Sequence, residues 1–248
     1  QYNDFSGLEK LISDKDIGVI KMEVVRNEGP ENNFLQKVRN ICTEKNIVLI
    51  FDECTSGFRE TFGGIHKKYN VDPDIAIFGK ALGNGYAITA IIGREEVMEA
   101  AQTSFISSTF WTERIGPTAA LKTLEVMEAT ESWNTITNIG HDVRERWSML
   151  AKKFDVDVCF FGLPSLSGFS FAKDTLLFKT FVTQEMLKKG FLAGTSIYLS
   201  IAHSEELINS YFDRLEPIFS TIGECKNGKD ISDLLDGPVC HSGFKRLN

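Results

Sequence analysis

The sequence predicts an α/β protein whose main sheet is mostly parallel. Two apolar runs, 48–53 (VLIFDE) and 75–80 (IAIFGK), are typical of short strands buried in a parallel sheet. An amphipathic segment at 33–45 has apolar residues at helical spacing, and it joins a strand at 18–23 to the strand at 47–52. A strand, a crossover helix and a second strand in this order form a βαβ unit.

Alternating elements continue beyond the second apolar run. We predict a strand at 87–92 and a short helix at 95–101. A helix at 115–129 follows, with Pro117 in its first turn, where the missing N–H is not needed. The next helix, at 133–154, is long and carries its apolar residues on one face.

The pattern changes after the long helix, where short strands alternate as in antiparallel sheets. We therefore predict two domains, with residues 1–135 forming part of a large domain and 136–248 a smaller α+β domain at the carboxyl terminus. No element is predicted for the polar residues 1–16. The elements predicted for the second domain are strands at 156–161, 167–171 and 197–201, and helices at 178–189 and 205–222.

The two apolar runs end in side chains that can do chemistry together. Asp52 and Lys80 each follow a parallel strand, and ligands of open α/β sheets bind at the carboxyl ends of the strands. A carboxylate can hold a proton on a heteroaromatic nitrogen, and an amine can form a Schiff base with an aldehyde. Either residue alone is better explained as a strand-end acid or a solvated lysine. Together, with apolar neighbours and glycines around Lys80, they favour a site for pyridoxal 5'-phosphate (PLP).

A resemblance to a known family supports the same cofactor. Residues 50–59 (IFDECTSGFR) and 79–85 (GKALGNG), continued at 108–117 (STFWTERIGP), resemble the class III aminotransferases of PLP fold type I. They are most similar to the branch that includes glutamate-1-semialdehyde aminomutase. The resemblance implies an α/β fold of the PLP-dependent transferase type I and a homodimer with shared active sites.

By this resemblance four residues serve the cofactor. Asp52 pairs with the pyridinium nitrogen, Lys80 forms the Schiff base, and Thr109 reaches the phosphate bound in the neighbouring subunit. Cys54 stands where the family usually has a valine packed on the cofactor ring, and a thiol of similar bulk packs there as a small hydrophobe. Residues 111–114 (WTER) depart from the small segment usual in the family.

The family's phosphate-binding loop and ring-stacking aromatic residue precede the aspartate strand. Neither is found before Asp52, and the strand at 18–23 already corresponds to the one before the aspartate strand. We therefore expect the chain to be the carboxyl-terminal part of a longer enzyme, with more than a third of the family's usual length absent.

Composition narrows the class of partner. A formal net charge of −7 leaves no basic surface for nucleic acid, and no apolar run approaches membrane-spanning length. The five cysteines form no CxxC pair, which argues against a zinc site or disulfide framework and for the reducing cytoplasm. We expect small-molecule partners, an amino donor and an oxo acceptor, besides a second subunit.

The expected reaction is transamination, with Lys80 as general acid and base after burial has lowered its basicity. If donor and acceptor are one molecule, the enzyme is an aminomutase. Two alternatives from other classes remain: an ATPase, because residues 48–53 resemble a Walker B strand, and an inactive truncated piece. The chain has no GxxxxGK[ST] loop, which the ATPase requires.

Other polar residues receive supporting roles. We expect Glu23 to support the residues that contact the cofactor without touching the cofactor itself. We expect Arg59 to anchor the loop after Asp52, and His203 to pack between domains. His66, after two glycines, is expected to be exposed. Candidates for binding a substrate carboxylate are Arg114, Arg214 and Arg246.

Overall fold

The chain forms two compact units, Gln1–Thr135 and Ile136–Asn248, each with its own core. Among the residues that the structure describes, no helix is long and apolar enough to cross a membrane. That these units are the partial large domain and the small domain of the expected enzyme stays a prediction. The computed structural model describes residues 1–25, 27–107, 109, 112–225, 228 and 230–243.

The N-terminal unit is built on a four-stranded sheet with the strand order β1-β2-β3-β4. Neighbours β1, β2 and β3 run parallel, so the predicted mostly parallel sheet is confirmed. The strand predicted at 87–92 begins later, and it pairs antiparallel with β3. The strands are β1 (Val19–Glu23), β2 (Val48–Asp52), β3 (Ile75–Phe78) and β4 (Ala90–Gly93).

In the described part of this unit, four α-helices accompany the sheet. The first helix was not predicted, because its sequence is largely polar. It is capped by Asp4, whose side chain accepts a hydrogen bond from the Gly7 N–H at 2.9 Å. The second is the predicted crossover, and it buries Leu35 and Val38. The third is shorter than expected and continues as a 3-10 helix at Glu99–Thr103. The helices are α1 (Phe5–Asp14), α2 (Phe34–Glu44), α3 (Glu95–Met98) and α4 (Ile115–Thr130).

Strand register aligns the carboxyl ends of the parallel strands. Glu23 of β1 lies opposite Asp52 of β2, and Asp52 lies opposite Ile77 of β3. Leu49 and Phe51 are fully buried, which fixes the register because a one-residue shift would expose them. The last residues of the three strands therefore meet at one edge of the sheet.

The C-terminal unit encloses an aromatic core. Trp147 packs edge-on against Phe169, with ring centroids 4.8 Å apart, and its Nε1–H donates to the Tyr211 hydroxyl at 3.1 Å. Buried Phe171 and Phe219 complete the centre of this core. The elements are α5 (Ser132–Lys153), whose first turn belongs to the N-terminal unit, β5 (Val158–Phe161), β6 (Gly168–Phe171), α6 (Thr175–Lys188) and α7 (Glu205–Glu224).

The strand predicted at 197–201 is not formed. The segment is extended, and the N–H groups of Ile197 and Leu199 donate to the carbonyls of Ser167 and Ser165. These carbonyls lie just before β6, so the segment pairs with irregular backbone, and the isolated bridge to Gly168 of β6 is made by Ser196, just before the segment. Leu199 is nevertheless almost fully buried, which explains the apolar alternation that suggested a strand.

Candidate active site

Asp52 is the last residue of β2, and its carboxylate has two partners. Oδ1 accepts a hydrogen bond from the Cys54 N–H at 3.1 Å, and Oδ2 lies 2.9 Å from the Lys21 Nζ. The hydrogen bond from Lys21 holds the pKa of Asp52 below its usual range, even though partial burial raises it. The carboxylate at the end of β2 is therefore an anion at neutral pH.

Lys80 follows β3 after Gly79 and begins a short 3-10 helix, Lys80–Leu82. Its backbone lies in the left-handed region, with φ at 45°. Its carbonyl accepts hydrogen bonds from the N–H groups of Gly83 and Asn84. The amine Nζ donates to the Thr55 hydroxyl at 2.6 Å. The expectation that Lys80 has little polar company and is buried is wrong, because its side chain is exposed and bonded to a threonine.

Cys54 lies between these two charged groups in sequence and in space. A Cβ built on Gly79 would lie 3.4 Å from the Cys54 sulfur, so the thiol packs beside the residue that precedes Lys80. Partial burial, followed by the neighbouring Asp52, raises the pKa of the thiol. Cys54 is therefore a neutral, half-buried side chain at the site. Its packing on a cofactor ring stays a prediction.

The loop after β2 is held by a buried cluster around Glu53. Glu53 is fully buried and accepts hydrogen bonds from the Ser56 hydroxyl at 2.6 Å and from the His66 N–H and Nδ1 at 3.0 and 2.8 Å. Burial raises the pKa of Glu53, but these hydrogen bonds outweigh it and leave the pKa below its usual range. The expectation that His66 is exposed is wrong, because its ring closes this cluster.

The position of Glu53 also bears on the ATPase alternative. In a Walker B strand the glutamate after the aspartate activates water. Here that glutamate is inside the protein and is occupied by Ser56 and His66. Its carboxylate is thus a loop anchor, which does not suit an ATPase.

The remaining predicted residues are spread over the two units. Glu23 is half-buried at the end of β1, opposite Asp52. Thr109 is exposed between the 3-10 helix at 99–103 and α4, and of its neighbours in the motif Ser108, Phe110 and Trp111 lie outside the described residues. The structure does not bring Thr109 into the set formed by Asp52, Cys54 and Lys80. Its phosphate role, which concerns a second subunit, stays a prediction.

The three arginine candidates lie in different parts of the chain. Arg114 is exposed just before α4. Arg214 of the C-terminal unit donates to the Ser210 hydroxyl at 2.6 Å and lies over the ring of Phe191. Arg246 lies outside the described residues, and His203 is half-buried with its Nδ1 accepting the Ser200 N–H. Arg59 is half-buried in the loop after β2, where its anchoring role stays a prediction.

Sequence reasoning missed two residues of the site, Lys21 and Thr55. Lys21 had a detectable signal, because a lysine inside an otherwise apolar strand, two residues before Glu23, lies on the same face as Glu23. Thr55 had only a weak signal, its hydroxyl within the aspartate motif. Its contact with Lys80 spans 25 residues and depends on the conformation of both loops.

The side chains at this sheet edge fit PLP. An ionised carboxylate can pair with a protonated ring nitrogen, an exposed primary amine can reach an aldehyde, and a neutral thiol can pack on an aromatic ring. Asp52, Lys80 and Cys54 supply these three groups within one set of contacts. Among the described residues, no group of three or more histidine, cysteine or acidic side chains could hold a metal ion.

Solved structures share this fold. The FumI protein of Sphingopyxis sp. MTA144, solved in its PLP internal aldimine form, has a TM-score of 0.85 at 22% identity, covering 94% of this chain and 59% of that protein. The ornithine aminotransferase of Toxoplasma gondii has a TM-score of 0.79 at 20% identity, covering 92% of this chain and 57% of the enzyme. The fold is therefore PLP fold type I, present in part, as predicted.

Sequence comparison gives the family. The chain is 35% identical over 182 residues to a 3-aminobutyryl-CoA aminotransferase of Cloacimonas acidaminovorans, covering 70% of this chain and 44% of that enzyme. It is 32% identical over 244 residues to a glutamate-1-semialdehyde 2,1-aminomutase of Nitrosopumilus maritimus, covering 86% and 56%. The chain thus spans about half the length of these relatives. The family model of class-III aminotransferases matches residues 3–199, and the chain belongs to that family.

Proposed function

We propose that the protein is a PLP-dependent aminotransferase, which moves an amino group from a small-molecule donor to an oxo acceptor through Lys80. One observation carries the proposal: an exposed amine, Lys80, and an ionised carboxylate, Asp52, follow neighbouring parallel strands and flank the same half-buried thiol. That is the donor set that PLP chemistry requires.

In this proposal Asp52 holds the ring of the cofactor and Lys80 holds its aldehyde carbon. When bound, PLP withdraws electrons from the donor's α-carbon and makes its proton removable. Asp52 is already ionised before any ligand binds. It therefore contributes a preorganised negative charge that needs no rearrangement during the reaction. Lys21 now pairs with the same carboxylate, and its exposed side chain can swing away from Asp52.

Lys80 performs the proton transfer. Its amine, once free, would take the proton from the donor's α-carbon as a general base, and it would deliver that proton as a general acid to the former aldehyde carbon of the cofactor, on the other side of the transferred nitrogen. Its side chain starts at an anchored backbone and ends at the Thr55 hydroxyl, so the amine is presented at the sheet edge. Cys54 would pack against one face of the ring, and Thr109 would serve the phosphate of a partner subunit in a homodimer.

A second candidate is an aminomutase, in which one molecule is both donor and acceptor. The relatives at 28–32% identity that are named glutamate-1-semialdehyde 2,1-aminomutases support it, while the 3-aminobutyryl-CoA aminotransferase supports transfer between molecules. An assay with a single amino-aldehyde substrate distinguishes the two, because an aminomutase turns over without any added oxo acceptor. All five cysteines lie in the described part of the chain and no disulfide joins them, which is consistent with action in the cytoplasm.

The attachment residue is tested by reductive trapping. PLP is added to the full protein, borohydride reduces the linkage, and mass spectrometry locates the modified lysine. We expect the label on Lys80, and its loss in Lys80→Ala. Lys67→Ala is the matched control, since Lys67 is exposed and bonds the Phe62 carbonyl instead. A label on another lysine in the wild type would refute the proposal.

A further inference from the structure

We propose that Thr55 is a positioning residue for the amine of Lys80, an inference that rests on the proposed function. The observation behind it is the hydrogen bond of 2.6 Å from the Lys80 Nζ to the Thr55 Oγ1. By charge, the Asp52 carboxylate would be the expected partner of the Lys80 amine. Its two oxygens, however, contact the Lys21 amine and the Cys54 N–H. The two lysines of the site thus have different partners: Lys21 pairs with the Asp52 carboxylate, and Lys80 bonds the Thr55 hydroxyl.

The backbone that carries Thr55 is anchored on both sides. Before it, the Cys54 N–H bonds Asp52; after it, the Ser56 hydroxyl bonds the buried Glu53, and the Gly57 N–H bonds the Glu53 carbonyl at 2.8 Å. Gly57 is pressed against β3, since a Cβ there would lie 2.7 Å from the Phe78 ring. With the backbone fixed, the hydroxyl position depends on one torsion, which is restricted in a β-branched residue.

The other end of the contact is equally constrained. The carbonyl of Lys80 accepts two backbone hydrogen bonds, and Gly79 before it packs beside Cys54 and Thr89. A long lysine side chain has many rotamers, and a single hydrogen bond at its tip removes much of that freedom. Because both ends are anchored, the bond sets where the amine lies above the sheet edge.

A hydroxyl is chemically suited to this task. A carboxylate partner would favour the ammonium form and raise the pKa of a lysine, which opposes a role as nucleophile and base. A threonine hydroxyl can accept a hydrogen bond from an ammonium and can donate one to a neutral amine. Thr55 can therefore hold the amine of Lys80 in both protonation forms that the reaction uses.

The test compares two aldehydes on the full protein freed of cofactor. In each case the Lys80 nitrogen adds to the aldehyde carbon, water leaves, and cyanoborohydride supplies the hydride that reduces the C=N bond. Mass spectrometry gives the rate of Lys80 modification. PLP must be oriented in the site to react, whereas formaldehyde needs no orientation. Variants are Thr55→Val, which keeps the branched shape, and Thr55→Ser, which keeps the hydroxyl.

We expect Thr55→Val to slow modification of Lys80 by PLP by about five- to tenfold, the scale of one lost hydrogen bond, and to change the formaldehyde rate less than twofold. Thr55→Ser should restore the PLP rate. Thr61→Val is the control for the loop, since the Thr61 hydroxyl bonds the Gly63 and Gly64 carbonyls and not Lys80. Circular dichroism and the melting temperature establish that each variant is folded.

Several results would overturn the inference. Equal PLP rates in the wild type and Thr55→Val would refute the role of Thr55 while leaving Lys80 as the attachment residue. An equal loss with both aldehydes would assign Thr55 to the basicity or exposure of the amine, and an equal loss in Thr61→Val would assign the effect to the loop. Modification of a different lysine in the wild type would refute this inference and the proposed function together.

Discussion

Two lysines at the edge of the sheet have different partners, and that difference can be measured. Lys21 pairs with Asp52, which lowers the pKa of the carboxyl and raises the pKa of the amine. A lowered carboxyl pKa gives stability that is present above the usual value, about 4, and is lost as pH falls through the lowered one. The raised pKa of the Lys21 amine likewise gives stability at neutral pH. That stability is lost only when pH rises above about 10 and passes the raised pKa.

The first prediction follows from that pair. Lys21→Met should lower the free energy of unfolding by a constant amount between about pH 5 and pH 9. The difference from wild type should begin to shrink as pH falls below about 4, and it should vanish once pH is below the lowered pKa of Asp52, where the carboxyl is protonated in the folded and unfolded protein alike. Urea unfolding at a series of pH values measures it. Lys10→Met, at an exposed position of α1, is the control. A difference that persists unchanged at pH 2 would mean that Lys21 does not act through Asp52.

The second prediction concerns Glu53. Glu53→Ala removes the acceptor of three hydrogen bonds and leaves the buried donors of Ser56 and His66 without it, so we expect a loss of about 3 kcal/mol or more in the free energy of unfolding. Glu44→Ala, at a carboxylate that is 71% exposed, should change it by less than about 0.5 kcal/mol. A small effect at Glu53 would show that the cluster contributes little to holding the loop. Because the pKa of Glu53 is lowered, its contribution should fall as pH drops below about 4.

At the residue scale, the sequence was informative where chemistry and strand ends coincide. Asp52 and Lys80 could be selected because each ends an apolar run, and parallel strands bring such ends together. Thr55 could not, since its contact with Lys80 requires the folded loop. His66 was misjudged for the same reason: two preceding glycines suggest an exposed turn, but the turn folds back so that its ring reaches Glu53.

At the scale of elements, the helices and strands were largely predictable, and the irregular segments were not. The crossover helix α2 follows from the helical spacing of its apolar residues, and the parallel strands β2 and β3 follow from their continuous apolar runs. The segment at 197–201 shows why periodicity fails: Leu199 is buried and Ile197 half-buried, yet the hydrogen bonds of the segment go to the irregular backbone at Ser165 and Ser167. Burial produces the alternation, whereas a strand also needs an extended neighbour.

The packing of α5 gives the third prediction. Gly140 lies in this helix, where alanine is intrinsically better by about 1 kcal/mol. A Cβ at this position would lie 2.1 Å from the Pro164 carbonyl oxygen, which is backbone and cannot move aside cheaply. Gly140→Ala should therefore lower the melting temperature. Asn138→Ala, at an exposed position of the same helix, should leave it equal or slightly higher. A more stable Gly140→Ala protein would contradict this close approach.

At the scale of the whole molecule, exposed apolar side chains support the proposed homodimer. In the N-terminal unit Phe105 is 95% exposed, and α4 exposes Ile115 at 64% and Leu121 at 70%. Large apolar side chains left this exposed are frequent at protein interfaces. In the sequence these three residues flank Thr109, the residue proposed to serve a partner's phosphate.

The fourth prediction tests that interface. Leu121→Asp places a charge on the exposed side of α4 and should convert a dimer to monomers, as measured by sedimentation equilibrium. Leu187→Asp, which puts the same charge at a 58% exposed position of α6 in the C-terminal unit, should leave the dimer intact. Dimers of equal strength in both variants would place the interface elsewhere, and the role of Thr109 would then lose its support.

The left-handed backbone conformation of Lys80 sets the stability of the fold against the role proposed for the lysine amine. A residue with a Cβ at φ of 45° is strained by about 1–2 kcal/mol, and glycine at that position would relieve the strain. The Lys80→Gly variant should therefore have a higher free energy of unfolding than the wild type, but it lacks the amine. Selection for stability alone would favour glycine at this position, so a lysine in this conformation agrees with the role proposed for its amine.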